Sequence, residues 1–203
     1  VGLVTPLGCD KDTFWGNLLQ GKSGVGELSK LDPGPYQNTR SAEVSGFEEL
    51  PEASDPGLEE LGMAVSYSCA AARMCLEDAG LAQQVSGENV GVVIGTTMGN
   101  QDVAERVIDQ FDIQSGDNLN DEAARKLAGF RPSELSLQVS RRFNLTGPTM
   151  VFPTACAAGN YALGAASSLV RSGRAKQVIA GGADPFSRTC YTIFQRLGAS
   201  TPV

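Results

Sequence analysis

The stretch that decides the fold reads Gly147-Pro148-Thr149-Met150-Val151-Phe152-Pro153-Thr154-Ala155-Cys156-Ala157-Ala158-Gly159. The apolar run at 149–152 predicts a buried strand, and the small residues from 157 to 168 predict a buried helix. Cys156 would then stand where a strand turns into a helix, and unpaired N–H groups and the helix dipole there stabilise a thiolate and an oxyanion. Spacing alone favours this reactive cysteine and an ordinary small buried cysteine about equally.

Two further apolar runs have the same character as the strand before Cys156. Residues 90–94 and 177–180 show no polar alternation, which is typical of strands buried on both faces of a sheet. Apolar periodicity predicts helices at 12–19, 58–79, 102–111, 122–127 and from Pro132 to 143. The proline- and glycine-containing segment 32–56 is predicted to be a surface connection. Strands separated by helices indicate an α/β fold with a mainly parallel, mixed sheet between helices.

Composition excludes several classes of function. The 203 residues carry a net charge of −7, which argues against a nucleic-acid partner because phosphate binding relies on clustered Lys and Arg. No apolar run is long enough for a membrane span and no signal-peptide pattern opens the chain, so we expect a cytoplasmic protein without a membrane partner. The chain has no histidine and its five cysteines form no CxxC pair, so we expect reduced thiols and no metal site.

Two of the other cysteines lie on one predicted helix. Cys69 and Cys75 are six residues apart, a spacing that does not bring two side chains together as ligands. We expect both to be buried and unreactive core residues.

The segment 147–159 resembles the active-site segment of β-ketoacyl synthases, a family of the thiolase-like superfamily. Segments 2–24, 90–99 and 175–184 resemble other parts of that family in the same order. The resemblance covers nearly the whole chain and implies that residues 1–203 form the N-terminal, cysteine-bearing half of a thiolase-like layered fold. Position 156 is a cysteine and not a glutamine. In this respect the chain resembles the condensing members of the family rather than a chain-length-factor subunit.

The resemblance implies a decarboxylative Claisen condensation of fatty acid or polyketide biosynthesis. An acyl chain would move from the phosphopantetheine arm of an acyl carrier protein onto Cys156, and a malonyl-type extender would attack the resulting thioester. Cys156 would be the nucleophile, with its backbone N–H as one oxyanion donor and no cofactor of the protein's own. Thr97, Met98 and Phe130 would be substrate-binding residues near the acyl pocket, with Phe130 reaching it from a dimer partner.

The family also uses two histidines and a lysine from a C-terminal half. Because this chain has no histidine, we expect that half to be supplied within the same chain or as a separate subunit. We call the combination the assembled protein and expect it to be a homodimer or a ketosynthase heterodimer. Two alternatives remain: a thiolase or ketoacyl synthase III relative that uses coenzyme A thioesters, and a non-catalytic ketosynthase-like interaction subunit.

Overall fold

A computed structural model describes residues 1–34, 36–114 and 119–200. The α-helices are α1 (Lys11–Leu19), α2 (Pro56–Glu59), α3 (Met63–Asp78), α4 (Gln101–Phe111), α5 (Asp121–Lys126), α6 (Glu134–Arg142), α7 (Ala158–Arg171) and α8 (Arg188–Arg196). The strands are β1 (Gly26–Glu27), β2 (Arg40–Ser41), β3 (Val90–Gly95), β4 (Thr149–Phe152) and β5 (Gln177–Gly182). Short 3₁₀ turns lie at Phe47–Glu49, Pro51–Ser54, Leu127–Phe130 and Ala155–Ala157. None of the helices described has the length and apolar character that crossing a membrane requires.

A three-stranded parallel sheet in the order β4-β3-β5 organises the chain. Its register pairs Gly95 of β3 with Phe152 of β4 and with Gly182 of β5, so all three strands end at one edge. The short strands β1 and β2 form a separate antiparallel pair. The predicted α/β fold is confirmed, and the main sheet is parallel throughout its described strands.

Helices cover both faces of this sheet. On one face α3 and α6 pack in a core that includes Val92 and Ile94, and on the other α7 packs in a core that includes Val93. Successive side chains of a strand point to opposite faces, so β3 needs apolar residues at consecutive positions. Every residue of β3 is buried, which explains why the run 90–94 shows no polar alternation.

The predicted helices at 12–19, 102–111 and 122–127 are confirmed with small shifts at their ends. The prediction of one continuous helix at 58–79 is wrong, because α2 and α3 are separate. Between them Gly62 has φ 100°, and a Cβ there would lie 2.7 Å from the Val103 side chain. Glycine is the residue that tolerates both the left-handed backbone and this close approach.

The helix predicted to begin at Pro132 begins two residues later, at Glu134. Pro132 belongs to the preceding turn, in which its carbonyl accepts a hydrogen bond from the Leu135 N–H at 3.1 Å. Its ring packs over Gly99, where an added Cβ would lie 3.2 Å away. The proline therefore fixes the turn before α6 and not its first residue.

The helix after Cys156 is less buried than predicted. Only Ala158, Ala162, Ala166 and Leu169 of α7 are buried. Tyr161, Leu163 and Val170 are 57, 56 and 46% exposed. Strand β5, predicted to be buried, is only partly so, because β3 is its one neighbour in the described sheet. Apolar side chains of α7 on either side of its buried stripe thus remain exposed among the described residues.

Candidate active site

Cys156 lies on an exposed turn between β4 and α7. The turn Ala155–Ala157 is a 3₁₀ helix, and α7 begins directly after it. Ala155 has φ 51°, a left-handed conformation that residues with a Cβ rarely adopt and that often marks functional turns. The predicted order of strand, turn and helix around Cys156 is confirmed. Its role as the nucleophile remains a prediction.

Close packing fixes the start of α7 over the end of the sheet. A Cβ at Gly95, the last residue of β3, would lie 2.3 Å from the backbone of Ala158, so only glycine fits there. Gly182 at the end of β5 also lies beside the start of α7, since its Cβ position is at an ordinary contact distance of 3.9 Å from the Cα of Gly159. Cys156 therefore lies at the carboxyl edge of a parallel sheet, where ligands bind in open α/β sheets.

The loop that follows β3 is held by a carboxylate that follows β5. Asp184 Oδ1 accepts hydrogen bonds from Thr96 Oγ1 at 2.8 Å and from the backbone N–H groups of Thr97 at 2.8 Å and Met98 at 3.1 Å. Thr96 Oγ1 also accepts from the Gly99 N–H at 2.9 Å. Bonds to an ionised acceptor are the stronger kind. Asp184 thus fixes the backbone at two of the predicted substrate-binding residues.

Backbone hydrogen bonds join the same loop to its neighbours. The Thr96 N–H donates to the Phe152 carbonyl at 3.0 Å, just before the Cys156 turn. The Ala183 N–H donates to the Gly95 carbonyl at 3.1 Å. The three segments after β3, β4 and β5 therefore start from one connected edge.

Sequence reasoning did not identify Asp184 as a site residue, although it lies two residues after Gly182, where β5 ends. The structure brings Thr97 and Met98 to the edge that carries Cys156. Phe130 is 38% exposed at the end of the Leu127–Phe130 turn, and no hydrogen bond or ring contact among the described residues joins it to Cys156. The substrate-binding roles of these three residues remain predictions.

The described part of the chain contains no group of three or more Cys, Asp or Glu side chains placed to hold a metal ion.

The other cysteines lie in different surroundings. Cys69 is completely buried, and burial raises its pKa to about 12. Burial also raises the pKa of Cys9 and of Cys190. The prediction that Cys75 is buried is wrong, since it is partly exposed. Cys75 lies in the last turn of α3, which ends at Asp78, whereas Cys69 lies in the middle of that helix.

Alkylation should therefore single out Cys156. In the assembled protein at neutral pH, iodoacetamide is expected to label Cys156 at least about tenfold faster than Cys69, because the thiolate is the reacting form and a buried thiol of high pKa supplies little of it. Peptide mapping after short exposure measures the order of labelling. Preferential labelling of Cys69 or Cys75 would show that the reactive thiol lies elsewhere.

The whole chain, residues 1–203, matches the family description "Beta-ketoacyl synthase, N-terminal domain". It is 30% identical over 190 residues to the 3-oxoacyl-[acyl-carrier-protein] synthase 2 of Coxiella burnetii, an alignment that covers 91% of this chain and 44% of that protein. The synthase of the same name from Staphylococcus aureus is 27% identical over 190 residues, covering 91% of this chain and 45% of the relative. The chain spans about half the length of the curated relatives that it matches.

Solved structures agree with this match. The ishigamide ketosynthase/chain length factor superposes with a TM-score of 0.85 at 27% identity, covering 100% of this chain and 50% of that one. A type II PKS acyl-carrier protein in complex with its ketosynthase gives a TM-score of 0.82 at 25% identity, covering 100% and 48%. Both likenesses fit the thiolase-like layering that the sequence implied. With its cysteine turn at the carboxyl edge of a parallel sheet, this chain belongs to the β-ketoacyl synthase family and matches the N-terminal domain of that family over its full length.

Proposed function

We propose that this chain supplies the acyl-accepting half of a condensing acyltransferase, a β-ketoacyl synthase of fatty acid or polyketide biosynthesis. The observation that carries the proposal is the exposed Cys156 on a strained turn at the start of α7, above the sheet edge formed by Gly95 and Gly182. An acyl thioester can reach this sulfur, and backbone N–H groups at a helix start can donate to the oxyanion that forms.

In the first step the Cys156 thiolate attacks the carbonyl carbon of an acyl thioester on phosphopantetheine. The new bond joins carbon to Sγ, the old carbon–sulfur bond breaks, and the carrier thiolate leaves and takes up a proton. In the second step the extender loses carbon dioxide, and its carbanion attacks the acyl-cysteine carbonyl. The Cys156 thiolate is then released with the β-ketoacyl product on the carrier.

The second step requires donors that stabilise an enolate oxygen, and no histidine in this chain can provide them. The assembled protein would provide two histidines and a lysine from its C-terminal half, in the same chain or in a separate subunit. The chain spans about half the length of its curated relatives, which supports this division of the site. The proposal requires no cofactor beyond the carrier-bound phosphopantetheine.

The proposed partners are an acyl carrier protein and a second ketosynthase-type subunit. One similar structure contains an acyl-carrier protein bound to its ketosynthase, and another is a ketosynthase/chain length factor. The exposed apolar side chains Tyr161, Leu163 and Met150 would be covered in such an assembly, whether homodimer or heterodimer. We place the assembled protein in the cytoplasm, where fatty acid and polyketide precursors are available.

A donor comparison tests the function. The assembled protein is given the same acyl chain on acyl carrier protein or on coenzyme A, together with malonyl-type extender on carrier protein. We expect carbon dioxide and β-ketoacyl product from the carrier-bound donor. Product from the coenzyme A donor alone would instead identify a thiolase or ketoacyl synthase III relative. Absence of product from both donors would identify a non-catalytic interaction subunit.

Asp184 is expected to act on this reaction by positioning the loop of Thr97 and Met98. Asp184→Asn replaces the charged acceptor by a neutral amide, and we expect acyl transfer to Cys156 to slow by about tenfold or more, since hydrogen bonds to charged groups contribute about 1.5–3 kcal/mol. Rapid-quench measurement of acylation in the assembled protein gives the rate and its dependence on donor concentration.

Asp109→Asn is the matched control, because it removes an exposed carboxylate whose partner is Arg188 on the surface. An exposed ion pair of this kind contributes little. We expect Asp184→Glu to restore part of the acylation rate, which general loss of folding would not allow. Equal acylation rates for Asp184→Asn and the unmodified protein would refute the positioning role.

A further inference from the structure

Two of the segments that start at the Cys156 edge are joined again farther along the chain. One runs from the end of β3 into α4, and the other runs from the end of β5 into α8. Their first junction is Asp184, which holds the backbone of Thr97 and Met98. Their second junction binds Glu105 of α4 to the first turn of α8. The start of α8 is therefore tied to the helix that follows the loop of predicted substrate-binding residues.

Glu105 uses both carboxylate oxygens to bind the start of α8. Its Oε1 accepts hydrogen bonds from Ser187 Oγ at 2.7 Å and from the Thr189 N–H at 2.7 Å, and its Oε2 accepts from the Arg188 N–H at 3.1 Å. The N–H groups in the first turn of a helix have no acceptor within that helix, and the helix dipole favours an anion there. Ser187 is buried and Glu105 is partly so, which limits competition from water. Glu105 thus caps α8 from a neighbouring helix.

Little else among the described residues ties this end of α8 to another segment. No residue of α8 is buried, so apolar packing within the chain does not anchor the helix. Tyr191 Oη donates to the Asn38 carbonyl at 2.6 Å, but this bond lies beyond the first turn. Arg188 pairs with Asp109, whose side chains are 42 and 58% exposed, and exposed pairs contribute little. The three hydrogen bonds of Glu105 are therefore the main attachment of the first turn.

The first turn of α8 lies close to the Cys156 edge. Ser187 follows Asp184 by three residues, which span at most about 11 Å when fully extended. The pKa of the Cys190 thiol in this turn is raised by burial, and then by the charges of Asp184 and Cys156. Charges act in this way only over short distances, since water and salt screen them. A displacement of the turn would therefore be passed to Asp184 through a short connection.

We propose that Glu105 is a positioning residue for acyl transfer to Cys156. By fixing the first turn of α8, its carboxylate keeps the preceding Asp184 in place against the loop of Thr97 and Met98. The proposal rests on the proposed function and assigns Glu105 no contact with the substrate. Misplacing a supporting group by about 1 Å can lower a rate by about two orders of magnitude, so the loss of this attachment is measurable.

Glu105→Gln tests the role with little change in shape. One carboxylate oxygen becomes an NH₂ group, which cannot accept a hydrogen bond and would face a donor in the first turn of α8. In the assembled protein, we expect the maximal rate of acyl transfer from acyl carrier protein to Cys156 to fall by about tenfold or more. The donor concentration at half of that rate should change by less than about twofold, because Glu105 does not contact the donor. Glu105→Asp keeps the charge and should restore part of the rate. Rapid-quench measurements over a range of donor concentrations give both quantities.

Hydrogen exchange measures the attachment without reference to the reaction. In Glu105→Gln the backbone amides of the peptide 187–191 are expected to exchange at least about tenfold faster, because the first turn of α8 opens more easily. Asp109→Asn is the matched control. It lies one turn farther along α4 and removes the exposed partner of Arg188, so it should leave both amide exchange and acyl transfer unchanged.

Circular dichroism verifies that the variants are folded. If Glu105→Gln does not fold, Ser187→Ala, which removes one of the three donors, is measured in its place, and a smaller loss of rate is expected. Unchanged amide exchange would overturn the attachment. Faster exchange with an unaltered rate of acyl transfer would show that Glu105 only stabilises α8, and would overturn the positioning role. If the unmodified protein accepted no acyl group, the proposed function would fail, whereas amide exchange would still decide whether Glu105 holds α8.

Discussion

Replacing Cys156 with alanine in the assembled protein is expected to lower the formation of β-ketoacyl product by at least about three orders of magnitude, because the covalent route is lost. Alanine removes only Sγ from an exposed turn, so the backbone of Ala155–Ala157 and the start of α7 should be preserved. Product formation and carbon dioxide release, measured by mass spectrometry, give the loss of each step separately.

Cys75→Ala is the matched control, because Cys75 is also partly exposed but lies on α3, far along the chain from the proposed nucleophile. It should retain nearly full activity. Comparable activity of Cys156→Ala and the unmodified protein would remove the basis for a cysteine-dependent mechanism. Equal loss in both variants, with an altered circular dichroism spectrum, would point to unfolding in place of lost chemistry.

The chain of 203 residues by itself is expected not to catalyse condensation, and addition of the C-terminal half should restore turnover. Decarboxylation requires donors for the enolate oxygen, and loss of one such donor costs about two to three orders of magnitude in rate. Three cations that could be considered as donors already have partners. Lys22 donates to Asn17 at 2.9 Å, Lys126 to Gln110 at 3.0 Å and Arg142 to Asp55 at 2.6 Å.

The assay compares carbon dioxide release by this chain, by the complementary half, and by both together. We expect activity only in the combined sample. The exposed apolar side chains of α7 should also make the separate chain prone to association, so light scattering accompanies the assay. Turnover by the chain alone at the rate of the assembled protein, and its loss in Cys156→Ala, would demonstrate a mechanism without histidine.

The sequence was informative wherever the determining contacts are local. The uninterrupted apolar run at 90–94 predicted a strand covered on both faces, and β3 is that strand. The run before Cys156 and the small residues after it predicted the strand, turn and helix that the structure contains. The parallel sheet followed from strands separated by helices.

Features that depend on distant residues could not be predicted. Asp184 holds Thr96 and Thr97 across more than eighty residues of sequence, and no local pattern links them. The break at Gly62 depends on its contact with Val103 on another helix. The composition of α7 predicted a fully buried helix, because small and apolar residues suit a core and an interface equally.

The most direct test of the central claim, that Cys156 accepts the acyl group, is to map the acylated residue. The assembled protein is incubated with acyl carrier protein that bears an acyl thioester, without extender, and then digested and analysed by tandem mass spectrometry. We predict one acyl group on the peptide that contains Cys156, removable by hydroxylamine as a thioester. Acyl groups on a different residue, or no acylated peptide from a preparation that forms β-ketoacyl product once extender is added, would contradict the claim.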